Sequence, residues 1–119
     1  MTYVSPGDKV LLPDSVYGPV KLLFKNHLQP LGIKAQYYNP VDIDDLESRI
    51  TENTRVIYIE SPGSQTFELQ DIEKITDLAR SNNIRTIADN SWGSPMNIRP
   101  LDYGVDCVIH SLSKIINGQ

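Results

Sequence analysis

The chain has 119 residues, the length of one globular domain, and at that size folding removes roughly two thirds of the unfolded surface from water. Eleven Lys and Arg stand against fifteen Asp and Glu, a formal net charge of -4 that argues against a nucleic acid as the main partner. A single cysteine, Cys107, excludes an internal disulfide framework and suits a reducing compartment. No run approaches the ~20 apolar residues of a bilayer-spanning helix. The opening Met1-Thr2-Tyr3-Val4-Ser5-Pro6 has no basic region followed by an apolar stretch, so no secretion signal is read there. The expectation is a soluble, cytoplasmic protein with no membrane partner.

Short apolar runs alternate with amphipathic stretches, the pattern of an α/β domain. Lys9-Val10-Leu11-Leu12 reads as a first strand between Gly7-Asp8 and Pro13. Val20, Leu23, Phe24, His27, Leu28 and Leu31 then fall at helical spacing, with Pro19 suited to the first turn and Gly32 to the stop. Ile33 to Tyr38 reads as a second strand closed by Asn39-Pro40, and Asp42 to Ile50 as a short helix whose acidic start suits the helix dipole. Val56-Ile57-Tyr58-Ile59 is a continuous apolar run, as a central parallel strand covered on both faces requires. Ser61-Pro62-Gly63-Ser64 breaks regular structure. Ile72, Ile75, Leu78 and Ala79 outline a further helix, with Asp71 as N-cap and Asn82-Asn83 as its exit. Thr86-Ile87-Ala88 and Cys107-Val108-Ile109 are the remaining strands. The connection from Asn90 to Asp106 is long and has little periodicity, so Trp92, Gly93, Pro95 and Pro100 predict a fixed loop packed near something functional.

Polar or reactive residues follow three of these strands directly: Glu60, Asp89, and Ser111-Leu112-Ser113-Lys114. In an open parallel sheet ligands bind outside the carboxyl ends of the strands, so the three segments are expected to line one crevice. Lys114, beside Ile115 and Ile116, has the setting of an amine with a lowered pKa that forms a Schiff base, or is a solvated surface lysine. Ser111 and Ser113 suit anion binding or simple helix capping. Ser111-x-x-Lys114 also matches the serine–lysine spacing of penicillin-recognising enzymes, although their Lys-Thr-Gly companion is absent. Asp89 suits a metal ligand, a general base, an ion-pair partner for a protonated ring nitrogen, or a turn cap. Tyr17 is placed to stack on a planar ligand or is an ordinary loop aromatic. Cys107, within a strand, reads as packing, and His27 and His110 read first as core or boundary residues. No tight metal-binding motif is present.

Taken together, Asp89-Asn90-Ser91-Trp92-Gly93-Ser94-Pro95, Pro100-Leu101-Asp102-Tyr103-Gly104-Val105-Asp106 and His110-Ser111-Leu112-Ser113-Lys114-Ile115-Ile116-Asn117-Gly118 closely resemble the pyridoxal-phosphate-binding core of the Cys/Met metabolism (transsulfuration) enzymes of fold type I. Glu60-Ser61-Pro62 and Gly7-Asp8-Lys9-Val10-Leu11 with Tyr17-Gly18 fall in that family's order. The resemblance covers essentially all 119 residues. It implies a three-layer, mostly parallel sheet with helices on both faces, the central portion of an aminotransferase-like large domain. The family's N-terminal arm and C-terminal small domain, with the arginine that binds the substrate carboxylate, would lie outside residues 1–119.

The resemblance further implies pyridoxal 5'-phosphate as cofactor, with Lys114 as the Schiff-base lysine. Asp89 would face the pyridinium nitrogen, Tyr17 would stack on the ring, and Ser111 and Ser113 would bind the phosphate. Ser64 stands where most of the family has an Asn that contacts the ring oxygen. Glu60-Ser61-Pro62-Gly63-Ser64 and Asn90-Ser91-Trp92 resemble bacterial cystathionine β-lyases, which implies β-elimination of L-cystathionine to homocysteine, pyruvate and ammonia. Tyr17-Gly18-Pro19 is closer to the γ-synthase and γ-lyase pattern, and Gln119 replaces a usual His. Cystathionine γ-synthase, cystathionine γ-lyase, methionine γ-lyase or an inactive fragment are the alternatives. A small sulfur amino acid is the implied substrate, and a homodimer or homotetramer the implied assembly.

Overall fold

The computed structural model describes residues 2–117. Five strands form one sheet: β1 (Lys9–Pro13), β2 (Lys34–Tyr38), β3 (Thr54–Glu60), β4 (Arg85–Asp89) and β5 (Cys107–Ile109). Every pairing is parallel and the spatial order is β2-β1-β3-β4-β5. The chain thus steps one way from β1 to β2 and the other way from β3 to β5. The order reverses between β1 and β3, which is where open α/β sheets bind ligands.

That reversal also decides which face each helix covers, because parallel crossovers keep one hand. The helix α1 (Gly18–Leu23) and the turns after it lie on one face, where Phe24 and Val20 pack with Val10, Leu12, Val56 and Tyr58. The helices α2 (Ile43–Ser48) and α3 (Ile72–Ser81) lie on the other, where Leu46, Ile75 and Ala79 pack with Leu11, Ile57 and Ile59. Along β3 the side chains alternate between these two clusters, as the period of two demands. Leu11 and Ile57 are wholly buried. The result is the three-layer α/β arrangement the sequence predicts.

Local chemistry sets the element ends. Asp42 caps α2 by accepting from the Asp44 and Asp45 N–H groups at 3.1 and 3.0 Å, and Asp71 caps α3 by accepting from Lys74 N–H at 3.1 Å. The single helix expected from Val20 to Leu31 is three conformations in succession. The α-helix ends at Leu23, a π-helical turn spans Phe24–Leu28, and a 3₁₀ turn spans Gln29–Leu31. Pro30 explains the change, since it has no N–H and its ring crowds the carbonyl four residues before it. Gly32 ends the run with φ of 82°, as expected of the stop. The loop after β4 holds a helix not expected from sequence, α4 (Ser94–Asn97), and a 3₁₀ turn at Pro100–Tyr103.

Candidate functional site

The carboxyl ends of β1, β3, β4 and β5 open onto a cavity of about 200 Å³ lined by Tyr17, Glu60, Pro62, Ser64, Asp89, Ser91, Trp92, Ser111, Ser113 and Lys114. All six residues singled out from sequence, Tyr17, Ser64, Asp89, Ser111, Ser113 and Lys114, meet here although 97 positions separate the first from the last. The single crevice expected from the strand ends is therefore present.

Lys114 lies in the turns after β5, its backbone held by an N–H bond to the Ser111 carbonyl at 3.2 Å. Its Nζ sits 5.3 Å from the centroid of the Tyr17 ring, within cation–π range. The apolar shielding expected from Ile115 and Ile116 is absent. Those side chains are 52% and 46% exposed because the segment after β5 runs over the surface. Ser111 and Ser113 bring their hydroxyl oxygens to 3.3 Å from each other, and the Ser111 N–H donates to Ser91 Oγ at 2.7 Å, joining the loop after β5 to the loop after β4.

Asp89 ends β4 and pairs in register with Glu60 on one side and Ile109 on the other. Its Oδ1 accepts the Ser91 N–H at 2.9 Å, and its Oδ2 lies 3.4 Å from the Tyr58 hydroxyl. Burial first, and then the charges of Asp89 and Glu60, push the Tyr58 phenol far above its ordinary value of 10.0, so it remains a donor. Burial also raises the Glu60 carboxyl above its ordinary 4.5. The bond from the Tyr17 N–H opposes that rise, the Asp89 charge adds to it, and Lys114 and the Ser64 hydroxyl oppose it. Two carboxylates and one amine thus face the same cavity, a lining that favours a cationic group such as a protonated ring nitrogen.

Sequence reasoning placed Glu60 at a strand end lining the crevice but gave it no role, and left Trp92 among the residues of a fixed loop. Glu60 Oε2 accepts the Tyr17 N–H at 2.8 Å. Trp92 meets Phe67 edge to face, with ring centroids 5.3 Å apart and planes at 75°. Gly63 lies close against Glu68 and Ser15: a Cβ there would lie 2.6 Å from Glu68 Oε2 and 2.9 Å from Ser15 Oγ. Asn90 serves the loop itself, donating from Nδ2 to the Ile98 carbonyl at 2.7 Å. Gly118, the end of the last motif, and Gln119, read as replacing a usual His, lie outside the described residues.

The family model of the Cys/Met metabolism PLP-dependent enzymes matches residues 1–119. The chain belongs to that family. Pyridoxal phosphate (PLP) is the family's cofactor. The chain is 40% identical over 119 residues to the L-alanine/L-glutamate racemase of Wolbachia pipientis wMel, covering 99% of this chain and 29% of that protein. It is 36% identical over 115 residues to cystathionine beta-lyase MetC of Bacillus subtilis strain 168, covering 97% of this chain and 30% of that protein. Among solved structures, metY from Campylobacter jejuni subsp. jejuni NCTC 11168, with N'-pyridoxyl-lysine-5'-monophosphate, superposes with a TM-score of 0.92 at 37% identity, over 98% of this chain and 29% of that one. The chain thus spans about three tenths of the length of these relatives. Among the described residues, no helix is long and apolar enough to cross a membrane.

Proposed function

We propose that these residues form the PLP site of a carbon–sulfur lyase that cleaves L-cystathionine with water to homocysteine, pyruvate and ammonia. The observation that supports this reading is the convergence of an amine, a carboxylate, an aromatic face and two hydroxyls on one cavity at the sheet's carboxyl edge. That donor set fits PLP group by group: Lys114 for the aldehyde, Asp89 for the ring nitrogen, Tyr17 for the ring face, Ser111 and Ser113 for the phosphate, and Ser64 for the ring oxygen.

Bound there, PLP supplies an electron sink for the pair left when the substrate loses its Cα proton. Asp89, held in place by the Ser91 N–H at 2.9 Å, would face the ring nitrogen and hold its proton by hydrogen bonding. Lys114, once its amine is free, takes the Cα proton, and its flexible four-carbon stem suits that movement. Tyr17, its ring centroid 5.3 Å from Lys114 Nζ, would offer an aromatic face to the cofactor ring beside that amine. The thiolate of homocysteine leaves from Cβ, and water completes the release of pyruvate and ammonia.

The β-position is favoured by Glu60-Ser61-Pro62-Gly63-Ser64 and Asn90-Ser91-Trp92, while Tyr17-Gly18-Pro19 favours the γ-position of the synthases and γ-lyases. The products separate the two: γ-elimination of cystathionine releases cysteine and 2-oxobutanoate instead of homocysteine and pyruvate. A cytoplasmic homo-oligomer acting on a small sulfur amino acid belongs to the same proposal. The test is the visible absorbance of the purified protein with added PLP, compared with Lys114→Ala, followed by product analysis on cystathionine. A visible band in the parent that the variant lacks, together with pyruvate, supports the reading. The same spectrum in both proteins refutes the role of Lys114.

A further inference from the structure

We infer that Glu60 is a positioning residue whose carboxylate tethers the backbone of Tyr17 across the gap between β1 and β3 and so holds the Tyr17 ring over Lys114. This rests on the reading above, in which Tyr17 and Lys114 both meet the cofactor.

Tyr17 needs such a tether. It precedes a helix of only six residues, has no side-chain cap, and its own side chain is 45% exposed. Packing therefore fixes the ring weakly, and its place follows from its backbone. The bond from that backbone to β3 is the Tyr17 N–H donated to Glu60 Oε2 at 2.8 Å. Glu60 is itself only 6% exposed, and among the described residues no salt bridge joins it to a lysine or arginine. A buried carboxylate without a cationic contact is costly unless hydrogen bonds satisfy it, and a charge-assisted bond from a backbone N–H is of the strong kind.

Glu60 is also clamped from behind. Its N–H donates to Gln70 Oε1 at 2.9 Å, Gln70 Nε2 donates to the Tyr38 hydroxyl at 2.8 Å, and that hydroxyl donates to the Tyr58 carbonyl at 2.9 Å. The Gln70 N–H donates to Ser61 Oγ at 2.9 Å and so fixes the next residue as well. The end of β3 is thereby a rigid post from which one carboxylate reaches across the reversal in strand order.

Two conservative variants of the full-length protein separate a tether from a charge. Glu60→Gln removes the charge but keeps an oxygen at the same reach. Glu60→Asp keeps the charge but withdraws it by about 1.5 Å, one carbon–carbon bond. The expected result is that Glu60→Asp speeds hydrogen exchange of the Tyr17 amide about tenfold and weakens PLP binding, read by visible circular dichroism, by about the same factor. Glu60→Gln, which keeps the bond but loses its charge assistance, is expected to fall between the parent and Glu60→Asp in both measurements. The opposite order, with Glu60→Gln impaired and Glu60→Asp like the parent, overturns the tether in favour of the charge. Parent-like behaviour of both variants overturns it too. If the parent protein binds no PLP, the proposed function fails on its own, and Tyr17 amide exchange still decides the tether.

Discussion

The Tyr38 hydroxyl is a buried polar group that links the core to the end of β3, and removing it tests the network described above. Tyr38 is 1% exposed, and burial, against the opposing bond from Gln70, pushes its phenol far above the ordinary 10.0, so the hydroxyl is a donor at any working pH. Tyr38→Phe keeps the ring and its packing and deletes one oxygen. The bond to the Tyr58 carbonyl is lost, at about 1 kcal/mol, and the buried Gln70 amide loses its acceptor, at roughly 1–3 kcal/mol. The expected cost is therefore about 2–4 kcal/mol. Urea denaturation reads it as a midpoint lowered by roughly 1–2 M at unchanged slope. Replacing both partners with apolar groups removes the orphaned amide, so Tyr38→Phe combined with Gln70→Met should cost at least about 1 kcal/mol less than the sum of the single changes. A Tyr38→Phe loss below about 0.5 kcal/mol, or additivity within that margin, would refute the network as drawn.

Ile57, wholly buried at the middle of the central strand, should cost about 3–5 kcal/mol as Ile57→Ala, measured by the same denaturation. The Asp106 carboxyl is pushed up by partial burial, but bonds from the Thr86 N–H at 2.8 Å, Arg85 at 2.7 Å and the Thr86 hydroxyl at 3.0 Å outweigh this and hold it below its ordinary 3.8. A carboxyl so lowered stabilises the fold fully above its unfolded value, and that contribution fades as pH falls through the folded value. Asp106→Asn should therefore lose about 1 kcal/mol at pH 7 and flatten the acid limb of the stability curve, the side chain being one quarter exposed. Ser111→Ala and Ser113→Ala should each weaken PLP binding by about tenfold and leave affinity for pyridoxal, which has no phosphate, unchanged; equal losses for both ligands would contradict a phosphate role.

Strands were the most legible part of the fold because buried parallel strands are unbroken apolar runs. Val56-Ile57-Tyr58-Ile59 names itself in this way. Periodicity marked the apolar face from Val20 to Leu31 but not its hydrogen-bond register, which Pro30 shifts. It could not reveal α4, which is four residues long and begins at Ser94, whose φ is 56°. At the site, Asp89 and Ser111 were legible because they lie at the carboxyl ends of strands, Asp89 as the last residue of β4 and Ser111 two residues after β5. The Tyr17–Glu60 bond was not, because it depends on β1 and β3 lying side by side while β2 comes between them in the chain. Exposure of Ile115 and Ile116 was equally hidden, since an apolar pair after a strand reads the same whether covered or bare.

The five-residue strand β4 has a different duty at each tip. At its start, Arg85 and Thr86 fasten to Asp106; at its finish, Asp89 faces the cavity. Four steps at ~3.3 Å put those duties about 13 Å apart, beyond the distance at which energetic effects of mutations usually interfere. Fold stability and ligand affinity are then expected to be separately adjustable. Substitutions that strengthen the Arg85 end should combine with substitutions at the Asp89 end, each keeping its own effect.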